Sequence, residues 1–429
     1  MDPALISTTL RSPTPHLVRR FLICTAWTPW GPSRGFQHRL SMVSEALSSL
    51  GRVDVCVLER WRSPELEQQW PPWVGDAEWC RVEQPERRGI AAMLERRPAV
   101  EDRVAPDAMA AANARFFSRP YDLTWCAEPR GYHPVADLVS GPCVLDLHNV
   151  LSSSVEHKRK VLLRRPWLAA SWRQAINDPV YRPGIGRRWR EWEQQALRSC
   201  DRIAVCSEVD RARVGEAASV IPNCYRRPDR PAGRVRGVGG RLRIGFVGLL
   251  DYQPNFDAVQ WFVKSVFPVI RRIEGEAEFV VIGREAPGLQ PLSQHPGVRF
   301  LGFVQDLEPE LAQLSVLIAP IRFGGGTRFK VLEAFAHEIP MVSTTVGVEG
   351  IDAEDGCHLF IRDDPENFAF AVVEAHRNRI LRERMVTSAK ELYEQRYTWE
   401  RGLAAVKQVV DELTVGHRSK TYAADVARP

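Results

Sequence analysis

The sequence predicts an α/β architecture of two domains, each built on a parallel sheet, and three observations carry that prediction. Short apolar runs that read as buried strands alternate with stretches whose apolar residues recur at helical spacing, first over 20–58 and again from 242 onward. Between the two arrays, residues 226–240 are proline, glycine and arginine without an apolar period, which marks a linker. The length agrees, since 429 residues most simply hold two domains of ordinary size.

Residues 1–19 read as a disordered N-terminus; Met1 to Pro15 carry proline and polar residues where a secretory signal would have an apolar core. The first strand covers 20–25, and the loop that follows, to Gly35, is rich in proline and glycine. A helix over 37–50 places Leu40, Val43, Ala46, Leu47 and Leu50 on one face, Gly51 ends it, and 53–58 returns as a strand. This is a βαβ unit, which implies parallel pairing. Its first loop lacks the GxGxxG spacing of a dinucleotide fingerprint. Residues 60–85, rich in proline and tryptophan, take no assignment; helices are expected over 88–96 and 106–118. Strands follow at 122–127 and 142–149, the second presenting His148 and Asn149 at its carboxyl end, where open α/β sheets bind ligands. A functional and a structural reading of His148 both stand, whereas His337 and His376 read as structural.

From His157 to Trp192 the chain is basic and aromatic, with Lys158, Arg159, Lys160, Arg164, Arg165, Trp167, Trp172, Arg173, Arg187, Arg188, Trp189 and Arg190. One reading is a face that docks on anionic lipid; the other is solvated helix faces with tryptophans in the core. A helix to Arg198, a strand at 201–207 and the run 220–223 close the first domain. In the second, strands are expected at 242–248, 277–282, 298–301, 315–319 and 341–343, and helices at 255–272, 306–314, 328–337 and 366–380. A last helix over 399–413 has the reach to cross back to the first domain, and 417–429 read as a tail.

The stretch 318–345 is the most informative. A buried strand stops at Pro320, which cannot donate to a ladder. Gly324, Gly325 and Gly326 then permit backbone angles and approaches that a Cβ forbids, and Thr327 is a candidate N-cap for a helix beginning near Arg328. A strand, a glycine turn and a helix N-terminus make an anion site. Arg328 and Lys330 fall in the first helical turn, where cations oppose the helix dipole at roughly 0.3–1 kcal/mol each. A bound diphosphate compensates, because charge-assisted hydrogen bonds are worth roughly 1.5–3 kcal/mol apiece. Glu333, one turn on, can accept from sugar hydroxyls or cap the helix.

Composition sets outer bounds. A chain 44% hydrophobic and 26% charged is that of a globular protein, and a net charge of +5 is too mild to suggest a nucleic-acid binder. No run of apolar residues is long enough for a transmembrane helix. Nine cysteines at irregular spacing, with no CxxC pair, read as buried free thiols in a reducing cytoplasm, and no Cys/His cluster has zinc spacing.

Residues 243–395 resemble the nucleotide-sugar-binding domain of retaining glycosyltransferases of family four, which have the GT-B fold. The matching pieces are Phe246-Val247-Gly248, Val281-Ile282-Gly283, Gly302-Phe303-Val304 with Asp306, the block from Gly324 to Ala334, Pro340 to Thr344, and Glu349-Gly350-Ile351. The run Asp251-Tyr252-Gln253-Pro254-Asn255 resembles a subgroup of exopolysaccharide and cell-envelope assembly. The amino-terminal half matches more loosely, through Gly35, Arg39, His148, Glu193, Ser207 and Pro222-Asn223. The family's acidic pair would fall at 325 and 333, of which only Glu333 is acidic; its basic pair would fall near 249 and 254, here Leu249 and Pro254. In this GGGTR-x-K subtype Arg328 and Lys330 are placed to take over the diphosphate.

The resemblance implies two Rossmann-like domains facing a cleft: an acceptor-binding domain over 20–225, the linker, a nucleotide-sugar domain over 241–398, and a helix over 399–416 that crosses back. It implies transfer of a sugar from a nucleotide diphosphate sugar, the co-substrate, to a hydroxyl of a glycan, a lipid-linked glycan or a small molecule, with retention of configuration. No Asp-x-Asp motif is present, so neither a metal nor another cofactor is expected. His148, Arg328, Lys330 and Glu333 are the candidate catalytic residues. Gly35, Gly248, Gly283, Val304, Gly324, Gly325, Gly326 and Thr327 are candidates for holding the donor and its phosphates. A cytoplasmic location follows, at the inner membrane face if the acceptor is lipid-linked. Two rivals are a nucleotide-sugar-binding protein that does not turn over and a GT-B epimerase, which needs an acid/base pair that the sequence does not offer.

Overall fold

The computed structural model describes residues 19–27, 35–59, 71–83, 103–104, 106–164, 185–229, 240–284 and 286–426. Strands β1 (Arg19–Thr25), β2 (Gly51–Glu59), β3 (Val74–Glu83), β4 (Arg103–Val104), β5 (Leu123–Ala127), β6 (Cys143–Leu147), β7 (Arg202–Val205) and β8 (Ser219–Val220) form one sheet. Its order is β4-β3-β2-β1-β5-β6-β7-β8, and only the β3–β4 pair is antiparallel. Strands β9 (Arg243–Val247), β10 (Glu278–Ile282), β11 (Val298–Gly302), β12 (Val316–Ala319), β13 (Met341–Ser343) and β14 (Phe360–Ile361) form the second, all parallel, in the order β11-β10-β9-β12-β13-β14.

The helices, in chain order, are α1 (Gly35–Ser48), α2 (Pro106–Ala112), α3 (Glu128–Tyr132), α4 (Leu151–Arg164), α5 (Ile185–Ser199) and α6 (Glu208–Val214) in the first domain. In the second they are α7 (Gln253–Trp261), α8 (Phe267–Ile273), α9 (Glu308–Leu311), α10 (Phe329–Ala336), α11 (Pro365–Arg377) and α12 (Arg379–Arg396), followed by α13 (Trp399–Val426).

Parallel strands are covered on both faces, so they read as continuous apolar runs. Alternation along β1 shows the two faces: Phe21 and Ile23 pack with Leu40, Val43 and Leu47 of α1, while Leu22 and Cys24 pack with Phe116 and Leu145. The second domain has a core of its own around Phe246, Phe262, Phe279, Phe335 and Phe368. Helix α13 does not belong to that core. Its Trp399, Val406, Val410 and Leu413 join the α1 face of the first sheet, and Gly402 packs against Met42, whose sulfur would have to move to admit a Cβ.

One charge breaks the apolar pattern of β6. Asp146 is fully buried, and Arg39 of α1 meets it with Nε at 2.9 and 3.1 Å and Nη2 at 2.6 Å. The guanidinium also donates through Nη1 to Ile221 O at 2.6 Å and Asn223 Oδ1 at 3.2 Å, and Trp125 Nε1 approaches Asp146 at 3.3 Å. Helix α1, strand β6 and the chain leaving the first domain are thus tied at one point.

Several expectations shift. Helix α10 begins one residue late: Arg328, extended at φ −89° and ψ 106°, takes the N-cap position, and Thr327 Oγ1 is buried without a partner. The helix expected over 306–314 shrinks to Glu308–Leu311, and that over 366–380 stops at Arg377 because Asn378 caps a further helix, α12. Part of the unassigned 60–85 is β3. Helix α13 runs to Val426, through most of the expected tail. The expectations for 1–18, the helix over 88–96, residues 230–239 of the linker, and Arg165, Trp167, Trp172 and Arg173 lie outside the described residues.

Removing one partner of a buried pair strands the other charge. We expect Arg39→Met to destabilise the first domain by about 3–5 kcal/mol, read from urea unfolding. Arg39 holds the Asp146 carboxyl well below the usual range although burial opposes it. The pair's contribution is therefore complete above the unfolded carboxylate pKa of about 4 and is lost as pH falls towards the folded value. The gap between wild type and variant should narrow in acid.

Candidate functional site

The two sheets meet through the loops at their carboxyl ends. In the second domain the strand order reverses between β9 and β12, and a ligand crevice opens outside such a reversal. Gly248 follows β9 there, Gly283 follows β10, and Gly302 to Val304 follow β11, so these residues form a row across the crevice mouth. Gly283 donates from its N–H to Gly302 O at 2.9 Å, and Gly248 to Ile282 O at 3.0 Å. Val304 is half-buried at the far end of this row.

Beyond β12 the chain passes Arg322, whose Nε bonds Asp257 of α7 at 2.9 Å, with Nη2 on the second carboxylate oxygen. That fork fixes where the glycine turn begins. Gly324 and Gly326 take φ of 113° and 77°, left-handed values that L side chains resist. Gly325 has no such angle but meets the first domain. A Cβ there would overlap Asn149 Oδ1 and Ser154 Oγ, which bond each other at 2.7 Å, and one on Gly326 would lie 2.9 Å from His148 O. The turn therefore seats on the loop between β6 and α4.

Helix α10 carries the cations out of this turn. Arg328 folds its Nη1 back onto Gly325 O, leaving Nε and Nη2 buried and unpartnered. Lys330 Nζ donates to Asn255 Oδ1 at 3.0 Å, stands 3.8 Å from the centre of the Phe246 ring and lies beside Gly248. Burial, and then the charge of Arg328, push Lys330 down to about 7. Neither cation has a carboxylate partner among the described residues. Glu333 is buried one turn on and is pushed up to about 7, chiefly by burial; it accepts from Tyr225 OH at 3.0 Å.

On the opposing side, Gly35 opens α1 with its Cα against the Phe329 ring, and His38 lies 5.2 Å from that ring. His148 is buried, with Nε2 3.4 Å from Asp146 Oδ2 and neither ring nitrogen in a hydrogen bond. Glu193 receives Leu151 N at 2.8 Å and the Ser152 hydroxyl, so it braces the start of α4. His337 is buried with its ring 6.1 Å from that of Tyr225, and burial pushes it down to about 4.

The structure thus gathers His148, Gly35, the glycine turn, Arg328, Lys330 and Glu333 around one interdomain crevice. Tyr225 and Ser154 were missed. A lone tyrosine after Pro222-Asn223 and a serine inside a helix carry no motif, and only their position across the cleft singles them out. Tryptophans 189 and 192 are 5% and 6% exposed between α4 and α5, which removes them from any lipid-facing surface. Among the described residues no group of three or more His, Cys, Asp or Glu could hold a metal ion, and no helix is long and apolar enough to cross a membrane.

A lysine at about 7 must be protonated to hold an anion, so binding above that pH takes up a proton. We expect affinity for inorganic pyrophosphate to weaken as pH rises from 7 to 8. The decline should be steeper than in Lys330→Met, and calorimetry in two buffers of different ionisation heat should show the proton uptake. Equal slopes would refute the assignment.

Residues 241–378 match the family model described as glycosyl transferases group 1, about a third of the chain. A curated protein of Klebsiella pneumoniae, described as an uncharacterized 44.6 kDa protein in the cps region, is 24% identical over 142 residues. That match spans 31% of this chain and only 37% of the relative's length. Among solved structures, HepE of Anabaena in complex with UDP and glucose aligns with a TM-score of 0.60 at 14% identity, over 92% of this chain and 98% of that one. Sucrose-phosphate synthase of Thermosynechococcus elongatus aligns at 0.63 and 16%, over 93% and 100%. WaaG, a glycosyltransferase involved in lipopolysaccharide biosynthesis, aligns at 0.58 and 13%, over 92% and 100%. The chain has the GT-B fold, and residues 241–378 of its second domain match the glycosyl transferases group 1 model.

Proposed function

We propose that the protein transfers a sugar from a nucleotide diphosphate sugar to an acceptor hydroxyl, with retention of configuration and without an obligatory metal. One observation carries this reading: two cations with no carboxylate in ion-pair contact among the described residues stand at the strand reversal of the second domain, beside a glycine turn, and Arg328 keeps two buried guanidinium nitrogens unpaired. Buried donors without partners are costly, and a diphosphate supplies the acceptors. In the transfer the bond from the anomeric carbon to the diphosphate breaks, and its electron pair leaves on the phosphate oxygen. The acceptor oxygen bonds to that carbon and passes its proton to the departing phosphate oxygen. Arg328, Lys330 and the amides of the glycine turn meet the charge that develops on the leaving group. Gly35 lets α1 approach the same phosphates, Gly248, Gly283 and the backbone to Val304 receive the nucleoside, and His148 reaches the donor sugar or the acceptor.

Support comes also from the group 1 match of the second domain and from neighbours solved with UDP. The acceptor is a glycan, a lipid-linked glycan or a small molecule, and the relative in a cps region favours exopolysaccharide assembly. An activated nucleotide sugar places the reaction in the cytoplasm. Any contact with the inner membrane face is electrostatic, because the exposed face of α5 carries arginines 187, 190 and 198 beside Glu191, Gln194 and Gln195, while its tryptophans are buried.

With a donor identified by thermal shift across a nucleotide-sugar panel, we expect Arg328→Ala and Lys330→Ala each to lower turnover by about 10²–10³ with the fold intact. Near-normal turnover in both variants would end the phosphate role, and binding without turnover in wild type would favour the non-catalytic rival. Sedimentation with phosphatidylserine vesicles should show association at low salt that disappears at moderate salt; none at low salt removes the membrane contact.

A further inference from the structure

The first domain has a strand reversal of its own. Strand β1 lies between β2 and β5, so the winding reverses between β1 and β5, and their carboxyl ends open a crevice. The residue at the end of β5 is Glu128. It is 7% exposed and takes φ of +60°, a left-handed angle kept by a residue with a Cβ only where its surroundings impose it. They do so here. Pro129 fixes the next backbone angle, and Gly131 packs so tightly on β1 that a Cβ would lie 2.6 Å from Cys24 O.

The carboxylate itself is not used in holding this turn. No side chain caps α3, and among the described residues no donor or cation bonds Glu128. Its negative charge adds to burial in raising both Glu193 and Cys206. Thr25 of β1 and Asp146 of β6 flank Ala127 in register, so Glu128 leaves the sheet between the chain leading to Trp27 and the chain leading to His148. Arg130 lies over the Trp27 ring at 5.4 Å and does not pair with Glu128. His148, in turn, keeps both ring nitrogens unpartnered.

We propose that Glu128 selects the acceptor: its carboxylate accepts hydrogen bonds from the hydroxyls of an uncharged, polyhydroxylated acceptor and repels one that carries a phosphate or carboxylate at that point. This rests on the transferase reading. A buried anion with no partner is a strong acceptor for hydroxyl donors, and a second anion beside it is unfavourable.

The test compares wild type, Glu128→Gly and Glu128→Gln by melting temperature, by calorimetric affinity for UDP and GDP, and by nucleotide release from a nucleotide-sugar panel. Release is stimulated with methyl α-D-glucopyranoside or with methyl glucuronide. Glu128→Gly should keep or raise the melting temperature, because it relieves the left-handed backbone, and hold nucleotide affinity within about twofold. It should nevertheless lower glucoside-stimulated release by about tenfold or more. Glu128→Gln should raise the ratio of glucuronide- to glucoside-stimulated release by about tenfold. A glutamate that only shaped the turn would lower the melting temperature and leave the ratio alone. An unchanged ratio and rate in both variants with nucleotide binding intact overturns the acceptor role, as does a nucleotide-binding wild type with no preference for the neutral glycoside. Failure of wild type to bind either nucleotide overturns the transferase reading beneath it.

Discussion

Much of the cleft depends on a guanidinium and a carboxylate that no water reaches. Arg39 and Asp146 each lose hydration, a cost that only close, multiple hydrogen bonds offset. The geometry provides them: both carboxylate oxygens are engaged, and the remaining guanidinium face holds Ile221 O and Asn223. Because the pair can form in one arrangement only, it sets three things together. It orients α1, which begins at the cleft; it anchors the end of β6, two residues before His148; and it fixes the chain that leaves for the second domain. Two residues beyond Asn223, Tyr225 bonds Glu333 on α10, so the first-domain core reaches the helix that bears the cations through a short run of chain.

The two strand reversals carry opposite charge. On the second-domain side Arg328 and Lys330 have no carboxylate in ion-pair contact among the described residues and stand among Phe246, Asn255 and glycine backbone. On the first-domain side Glu128 and Glu193 are buried, Glu193 braced by Leu151 and Ser152, while Asp146 is already neutralised by Arg39. A charge buried with unfilled hydrogen-bonding capacity, as at Arg328, is destabilising. The transfer proposed above would bring a strongly anionic group to one side and hydroxyl donors to the other. Gly325 seats closely on Asn149 and Ser154, so the glycine turn of the second domain touches the first.

Legibility in the sequence followed the strength of the local signal. Strands β5 and β12 were evident because both faces are buried and every residue is apolar or small, and β1 and β6 because their apolar runs persist around Arg19, Arg20 and Asp146. Helix α12 was not, because Met385, Ala389 and Tyr393 form a single narrow stripe on an otherwise charged surface. Helix α3 was hidden by its Pro and Gly, which read as a loop until Gly131 is seen pressed on β1. The basic, aromatic stretch before Arg198 looked alike whether its tryptophans met lipid or core. Packing of α5 on α4 decided for the core at Trp189 and Trp192.

What the sequence determined by itself was local: apolar runs bounded by glycine and proline, the turn that positions 324–326 demand, and the placement of Arg328 and Lys330 just after it. These follow from backbone sterics and from the periodicity of helices and strands, which act between near neighbours. Only the tertiary structure decided that Gly325 is small because Asn149 and Ser154 press upon it, that Tyr225 occupies Glu333, and that Glu128 stands unpaired in the crevice. Those are contacts or vacancies between residues far apart along the chain, and no local propensity encodes them.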